Sequence, residues 1–172
     1  GTNFSYYDPE KVERLYALEP SEGMLKKARR TAGALGIGNS IEFLETGAES
    51  VPLEDHSIDT VVYTFVLCTI PDWKGALQET RRLLKPGGKI IFSEHGLAPD
   101  EGVAKWQRRV EPVWKPLAGG CHLTRDTKKM LEEAGFGPGN PLSFEFIHRS
   151  TDDNPKVAPV AQANWADIAP WV

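Results

Sequence analysis

Two cysteines, Cys68 and Cys121, are all that 172 residues offer. That excludes a disulfide framework, and it leaves reduced thiols in a cytosolic protein as the expectation. Long apolar runs are also missing. None approaches the ~20 residues needed to span a bilayer, so no transmembrane segment is expected. The start, Gly1-Thr-Asn-Phe-Ser-Tyr-Tyr-Asp8, lacks the basic region and apolar core of a secretion signal. No surplus of positive charge exists: the net charge is -4 and the sequence pI about 5.6. A nucleic-acid-binding domain usually carries a basic excess, so nucleic acid is not an expected partner. The one basic cluster, Lys26-Lys-Ala-Arg-Arg30, falls on a predicted helix and reads as its solvated face. Internal repeats and low-complexity tracts are absent as well.

What is present is an alternation of short apolar runs and helical patterns. Arg14-Leu-Tyr-Ala-Leu-Glu19-Pro-Ser21 reads as a buried strand, Leu15 to Leu18, that ends on a carboxylate and turns at once into a helix capped by Ser21. Leu25, Ala28, Ala32 and Leu35 then recur at helical spacing and should face a sheet, until Gly36 and Gly38 stop the helix. Ile41 to Leu44 is a second strand. Residues 57–67 form a nearly continuous apolar run, which suits a strand buried on both faces of a parallel sheet. Asp72 caps the next helix, with Trp73, Ala76, Leu77, Leu83 and Leu84 as its apolar stripe. Pro86-Gly87-Gly88 ends it, and Lys89 to Ser93 is a buried strand. Val103, Trp106, Val110, Val113 and Trp114 again follow helical spacing, with Pro112 and Pro116 breaking the pattern late. Thr124 is expected to cap a short helix through Ala134. Leu142, Phe144 and Phe146 alternate as in an edge or antiparallel strand.

Alternating strands and helices predict an α/β fold with a doubly wound, mostly parallel sheet and an antiparallel edge strand. In such sheets ligands sit outside the carboxyl ends of the strands. Glu19, the Gly47-Ala48-Glu49 turn and Thr64 to Cys68 all follow such ends. The Glu19 carboxylate is therefore a candidate partner for the two hydroxyls of a ribose.

Three segments carry a resemblance: Glu19-Pro20-Ser21 with Met24 after the first strand, Phe43-Leu-Glu-Thr-Gly-Ala-Glu49, and the helix–turn–strand junction Leu84-Lys-Pro-Gly-Gly88. Together they resemble the class I S-adenosylmethionine-dependent methyltransferases of Rossmann-like fold. Ser93-Glu-His-Gly, Trp106 to Trp114 and Gly119-Gly-Cys-His-Leu-Thr-Arg-Asp126 narrow it to the type 11 group that includes the alkyl-thiol S-methyltransferases. The resemblance runs from Gly1 to about Phe136. It implies S-adenosyl-L-methionine as cofactor, bound by Gly1, Thr2, Asn3, Glu19, Pro20, Met24, Gly47, Ala48, Glu49, Thr64, Phe65 and Val66. It departs at Gly47, where the family usually carries an Asp that accepts from the adenine amino group; either adenine affinity is weakened or Glu49 substitutes.

The cofactor's sulfonium supplies the leaving group in such enzymes, so the protein must align the nucleophile and deprotonate it where needed. Glu94 and His95, just past a strand end, are candidate bases, with His122 a further one. Trp106 and Trp114 could wall an apolar acceptor pocket, although core packing is the commoner fate of such a stripe. A metal site from His95, Cys121 and His122 lacks the usual ligand spacing and is not expected. Cys68 reads as a small buried hydrophobe.

Relatives in this family have a strand and glycine loop just before the position of Asn3; here only Gly1 remains of them. The methyltransferase core is read as 1–148, N-terminally incomplete, and 149–172 as an atypical tail. The missing strand should be filled by upstream residues, by the tail around Trp165 to Trp171, or by a second copy in a homo-oligomer. The functional expectation is methyl transfer to a small, fairly apolar acceptor, thiol ahead of amine or hydroxyl. The alternative is a degenerate domain that keeps the fold, lacks turnover and acts in binding or assembly. A nucleotide-binding oxidoreductase would explain Glu19 but fits poorly with Leu84-Lys-Pro-Gly-Gly88 and the segment around Trp114.

Overall fold

The computed structural model describes residues 3–8 and 10–136, and the backbone of 143–146. The residues divide into two compact units, one within 1–51 and one within 52–151.

The first unit contains β1 (Leu15–Leu18), α1 (Glu22–Ala34) and β2 (Ile41–Leu44), preceded by a 3-10 turn at Phe4–Tyr6. β1 and β2 pair in parallel from Leu15 opposite Ile41 to Leu18 opposite Leu44. Ser21 caps α1 as its sequence predicts, its hydroxyl accepting from the Met24 N–H at 3.4 Å. Leu25, Ala28 and Ala32 are buried at the expected spacing; Leu35, at the helix end, is 44% exposed and does not join them. Phe4, Ala28, Ala32 and Ile41 form a small core, closed by Tyr7, Leu15, Ala17, Ile37 and Phe43. The basic cluster is solvated, with Lys26 paired to Glu22 at 2.7 Å and Arg29 lying over the Phe43 ring.

The second unit holds β3 (Ile58–Thr64), α2 (Trp73–Leu83), β4 (Leu84–Ser93), α3 (Glu101–Leu117), α4 (Thr127–Glu133) and β5 (Ser143–Phe146), with sheet order β3-β4-β5. Asp72 caps α2 by accepting from the Gly75 N–H at 3.0 Å. Ala76, Leu77, Leu83 and Leu84 are buried, each large one stabilising by roughly 1.5–3 kcal/mol. The Pro86-Gly87-Gly88 turn belongs to β4: residues 85–88 bulge opposite Asp59. Gly87 sits at φ +80°, and a Cβ on Gly88 would lie 2.9 Å from the Lys85 carbonyl and 3.1 Å from that of Asp59. Lys85 ties the bulge down through both Asp59 oxygens at 2.8 Å.

Every strand pairing among the described residues is parallel. The Rossmann-like α/β class therefore stands, but the antiparallel edge does not. Alternation at Phe144 and Phe146 identifies a strand and is silent on its direction. The chain leaves β4 and returns to β5 through α3 and α4, and such a crossover brings a strand back parallel. β3 is less buried than its composition predicts, with only Tyr63 fully covered, because it lies at the edge of the β3-β4-β5 sheet. Asp126, not Thr124, caps α4; Thr124 is instead held by Glu111. The helix over 101–117 accommodates both prolines, but its apolar stripe faces outward: Trp106 is 66% and Trp114 42% exposed. Among the described residues these tryptophans pack into no core. The tail beyond Phe146, including Trp165 to Trp171, lies outside the described residues.

Candidate functional site

In the first unit, candidate residues gather where β1 and β2 end. The Glu19 N–H extends the ladder to the Leu44 carbonyl at 3.1 Å. Its side-chain Oε1 accepts from the Ser21 N–H at 2.9 Å, which fixes the carboxylate against the start of α1. Oε2 has no partner among the described residues, so one oxygen remains for an incoming hydroxyl. Pro20 follows directly, and Met24 is 51% exposed on the first turn of α1, free to lie against a flat apolar ligand. After β2, the Thr46 hydroxyl donates to the Gly47 and Ser50 carbonyls and closes a tight turn. The Glu49 carboxylate folds over Gly47 so closely that a Cβ there would lie 2.2 Å from Oε2. An Asp at 47 would collide with this Glu49 arrangement. Ala48 lies between them, half-buried. Asn3 starts the N-terminal 3-10 turn, and Gly1 and Thr2 lie outside the described residues.

In the second unit, β3 and β4 deliver Thr64, Phe65, Val66, Glu94 and His95 to one place. Thr64 pairs with Ser93, and the Phe65 N–H donates to the Ser93 carbonyl at 2.9 Å. Phe65 then takes φ +53°, a left-handed conformation that a non-glycine residue holds only where its surroundings impose it. Here two clamps impose it. The Glu94 carboxylate accepts from the N–H groups of Val66 (2.7 Å), Leu67 (3.0 Å) and Cys68 (3.3 Å). From another side, Arg125 donates to the carbonyls of Leu67 and Ile70. The Phe65 ring, 41% exposed, stacks on His95 with centroids 6.2 Å apart.

Burial pushes the Glu94 carboxyl above its ordinary range, and the three N–H donors pull it back. Glu94 is thus committed to holding the 65–68 loop and is poorly placed to serve as a base. Burial lowers the His95 pKa, which favours the neutral imidazole. Its Nε2 lies 3.0 Å from the Cys121 sulfur. The His122 imidazole is turned to Glu111, Nδ1 to Oε1 at 3.2 Å, and Glu111 also receives the Thr124 N–H and hydroxyl. His122 therefore borders a surface cleft with Arg108, Pro112 and Lys115, while its backbone N–H donates to the Cys68 carbonyl at 2.8 Å.

Arg125 and Cys68 make contacts that sequence reasoning missed. Arg125 stands alone in a polar segment with no local pattern to flag it. Cys68 is buried as expected, yet it lies against Cys121, sulfur to sulfur 3.6 Å, a contact between residues 53 apart.

Residues 1–92 match the family model described as a methyltransferase domain. The human thiol S-methyltransferase TMT1B is 39% identical over 140 residues, covering 79% of this chain and 56% of that protein. The ubiquinone/menaquinone biosynthesis C-methyltransferase UbiE of Brucella canis is 32% identical over 137 residues, covering 69% and 51%. A candidate methyltransferase of Bacillus halodurans superposes with a TM-score of 0.61 at 25% identity, covering 72% of this chain and 53% of that one. The chain spans about half the length of the curated relatives it matches. With an acidic residue closing β1, small residues after β2 and the 84–93 bulge and strand all in place, the chain belongs to the methyltransferase-domain family of class I S-adenosylmethionine-dependent methyltransferases.

Proposed function

We propose that this protein transfers a methyl group from S-adenosylmethionine to a small, fairly apolar acceptor, with a thiol favoured over an amine or hydroxyl. The observation that carries the reading is the set of strand ends. Within each unit, taken by itself, the strands finish on residues suited to that chemistry. Glu19 offers an oxygen to a ribose diol, 47–49 present small residues and a carboxylate, 64–66 form a clamped loop, and His95 offers an imidazole. The thiol preference is supported by relatives named as thiol S-methyltransferases.

Glu19, Met24 and the 47–49 turn would hold the adenosine part, since the free Glu19 oxygen and the exposed Met24 fit a diol and a flat ring. Thr64, Phe65 and Val66 would hold the amino-acid part. When bound, the cofactor supplies a methyl on a sulfonium, which leaves readily as a neutral thioether. The chain's own contribution is then orientation, exclusion of water and removal of a proton from the acceptor. With no cation bound, His95, beside the exposed Phe65 ring, is the group for that proton. A reducing compartment such as the cytoplasm suits the free, buried Cys68 and Cys121.

The test is formation of S-adenosylhomocysteine by the full-length protein over a panel of alkyl thiols, amines and phenols, beside calorimetry with S-adenosylmethionine. Turnover highest on thiols is expected. Cofactor binding without turnover on any acceptor would overturn the enzymatic reading in favour of a binding domain.

A further inference from the structure

The side chains of Cys68, His95 and Cys121 come from three separate segments, the loops after β3, β4 and α3, and converge. The Cys121 sulfur lies 3.0 Å from His95 Nε2 and 3.6 Å from the Cys68 sulfur, and all three ligating atoms lie within 4.8 Å of one another. We propose that these residues form a three-ligand site for a zinc-like divalent cation, whose open fourth position takes the acceptor thiol as a thiolate. The second half of this rests on the thiol reading above; the metal site itself does not.

The geometry suits that ion. Zinc binds sulfur at about 2.3 Å and imidazole nitrogen at about 2.0–2.1 Å, so tetrahedral ligands stand ~3.8 Å apart for two sulfurs and ~3.6 Å for sulfur and nitrogen. The two sulfurs are already at that spacing. The sulfur–nitrogen pair must open by about half an ångström, a small rotation of two side chains. The donor set of two soft thiolates and an imidazole selects zinc over magnesium, calcium or manganese. Three protein ligands with one position left is the pattern of sites that bind a substrate or water, while closed structural sites use four.

Charge gives a second argument. Cys68 is 2% and Cys121 8% exposed. A single thiolate buried that deeply would be an uncompensated charge. Two thiolates and one divalent cation sum to zero, which removes the cost of burying either charge by itself.

The surrounding residues hold the ligands in place, as supporting contacts do in metal sites. Glu94 grips the backbone of 66–68, and Arg125 binds the carbonyls on either side of Cys68. Gly119 and Gly120, at φ +62° and +90°, turn the chain so that Cys121 points back to the cluster, and the next N–H anchors it on the Cys68 carbonyl. A Cβ on Gly96 would lie 2.7 Å from the Arg125 carbonyl, so the segment after His95 is packed directly on the strand of chain that carries Arg125. The usual local ligand motifs do not reveal such a site, because its spacing is set by the fold: 27 positions separate Cys68 from His95 and 26 separate His95 from Cys121. Coordination makes His95 a ligand, and the acceptor thiol then loses its proton to solvent on binding the metal.

The experiment uses full-length protein purified anaerobically with reductant, stripped by a chelator, and titrated with Co²⁺ and then Zn²⁺. The expected result is one Co²⁺ per chain with thiolate-to-cobalt charge-transfer and tetrahedral d–d bands, bleached by Zn²⁺ and shifted by ethanethiol. Cys68→Ser and Cys121→Ser should each weaken Zn²⁺ binding by at least ~100-fold, beyond what loss of a supporting contact costs, while His122→Gln leaves it unchanged. Circular dichroism shows whether the variants fold; if they do not, the wild-type cobalt spectrum decides. An octahedral spectrum, no bound cobalt, a Cys68–Cys121 disulfide formed in place of metal binding, or unchanged affinity in both serine variants overturns the site. A cobalt spectrum that ethanethiol does not shift overturns the acceptor position. Thiol methylation that persists at full rate in stripped protein leaves the thiol reading standing and removes the metal from it. A cobalt site without thiol methylation does the reverse.

Discussion

A carboxylate that uses one oxygen to fasten itself, the other having no partner among the described residues, is the most informative single residue in the first unit. Glu19 accepts from the Ser21 N–H at 2.9 Å, so its orientation is fixed before any ligand arrives. Glu19→Ala should therefore weaken binding of S-adenosylmethionine and S-adenosylhomocysteine by ~1.5–3 kcal/mol, the scale of a charged hydrogen bond. Calorimetry on a folded variant with unchanged affinity would remove Glu19 from the site. His95 has a different signature. Its ring lies in the cluster with Phe65 and Cys121, past the end of β4, and it contacts the acceptor side in the proposed reading. Whether it takes the acceptor proton or holds the proposed cation, His95→Gln should lower kcat for thiol methylation at least ~100-fold and change cofactor affinity little. Loss of cofactor affinity in parallel with kcat would instead make His95 a prop for the 64–66 loop. The sequence showed both residues because each follows a strand end. It could not show that Glu94 is committed to three backbone N–H groups, since nothing local distinguishes a carboxylate that clamps a loop from one that takes a proton.

Elements were legible where a local rule governs them. β1 and β2 have the bounds that their apolar runs and the flanking turns predict, and Ser21 and Asp72 cap the helices they precede. Asp72→Ala should cost ~1 kcal/mol of stability, as the Gly75 N–H loses its acceptor. Chemical denaturation reads that directly, and a change below a few tenths would mean the cap contributes nothing. What sequence could not supply was long-range. The direction of β5 depends on the crossover through α3 and α4 and not on alternation. The outward stripe of α3 has the same period as a buried one, and periodicity reports a face without saying what covers it. Thr124 has the right type and position for a cap, but Glu111, 13 residues upstream, takes its hydroxyl at 2.6 Å, and the helix begins from Asp126 instead. Each miss is a competition between a local preference and a partner distant in sequence, which the partner won.

At the scale of the whole molecule, the two units respond to opposite ends of the pH range. In the first, Tyr7 packs against the core of Phe4, Ala28, Ala32 and Ile41, and burial raises its pKa from 10.0 to about 12. A raised pKa means that its contribution is fully present below pH 10 and is lost as pH climbs toward 12, because the unfolded chain ionises first. In the second, Glu111 is held below its ordinary value. Burial works against this, and hydrogen bonds from Thr124 and His122 together outweigh it. Arg108 and Lys115 border the same cleft. A depressed carboxylate contributes above its unfolded pKa of about 4.5 and loses that contribution as pH falls through the folded value. The two limbs are therefore separable by variant and by place. Tyr7→Phe keeps the ring and removes the ionisation, so it should flatten the fall in Tm above pH 10 and leave the acid side alone. Glu111→Gln should lower Tm at pH 7 and shrink the further loss below pH 5, with the alkaline side unchanged. Hydrogen exchange resolved by segment should show the alkaline opening first within residues 4–44 and the acid opening first around 101–131. If Tyr7→Phe leaves the alkaline limb as steep as before, the buried phenol is not its source, and the small core of the first unit does not set the upper pH limit of this fold.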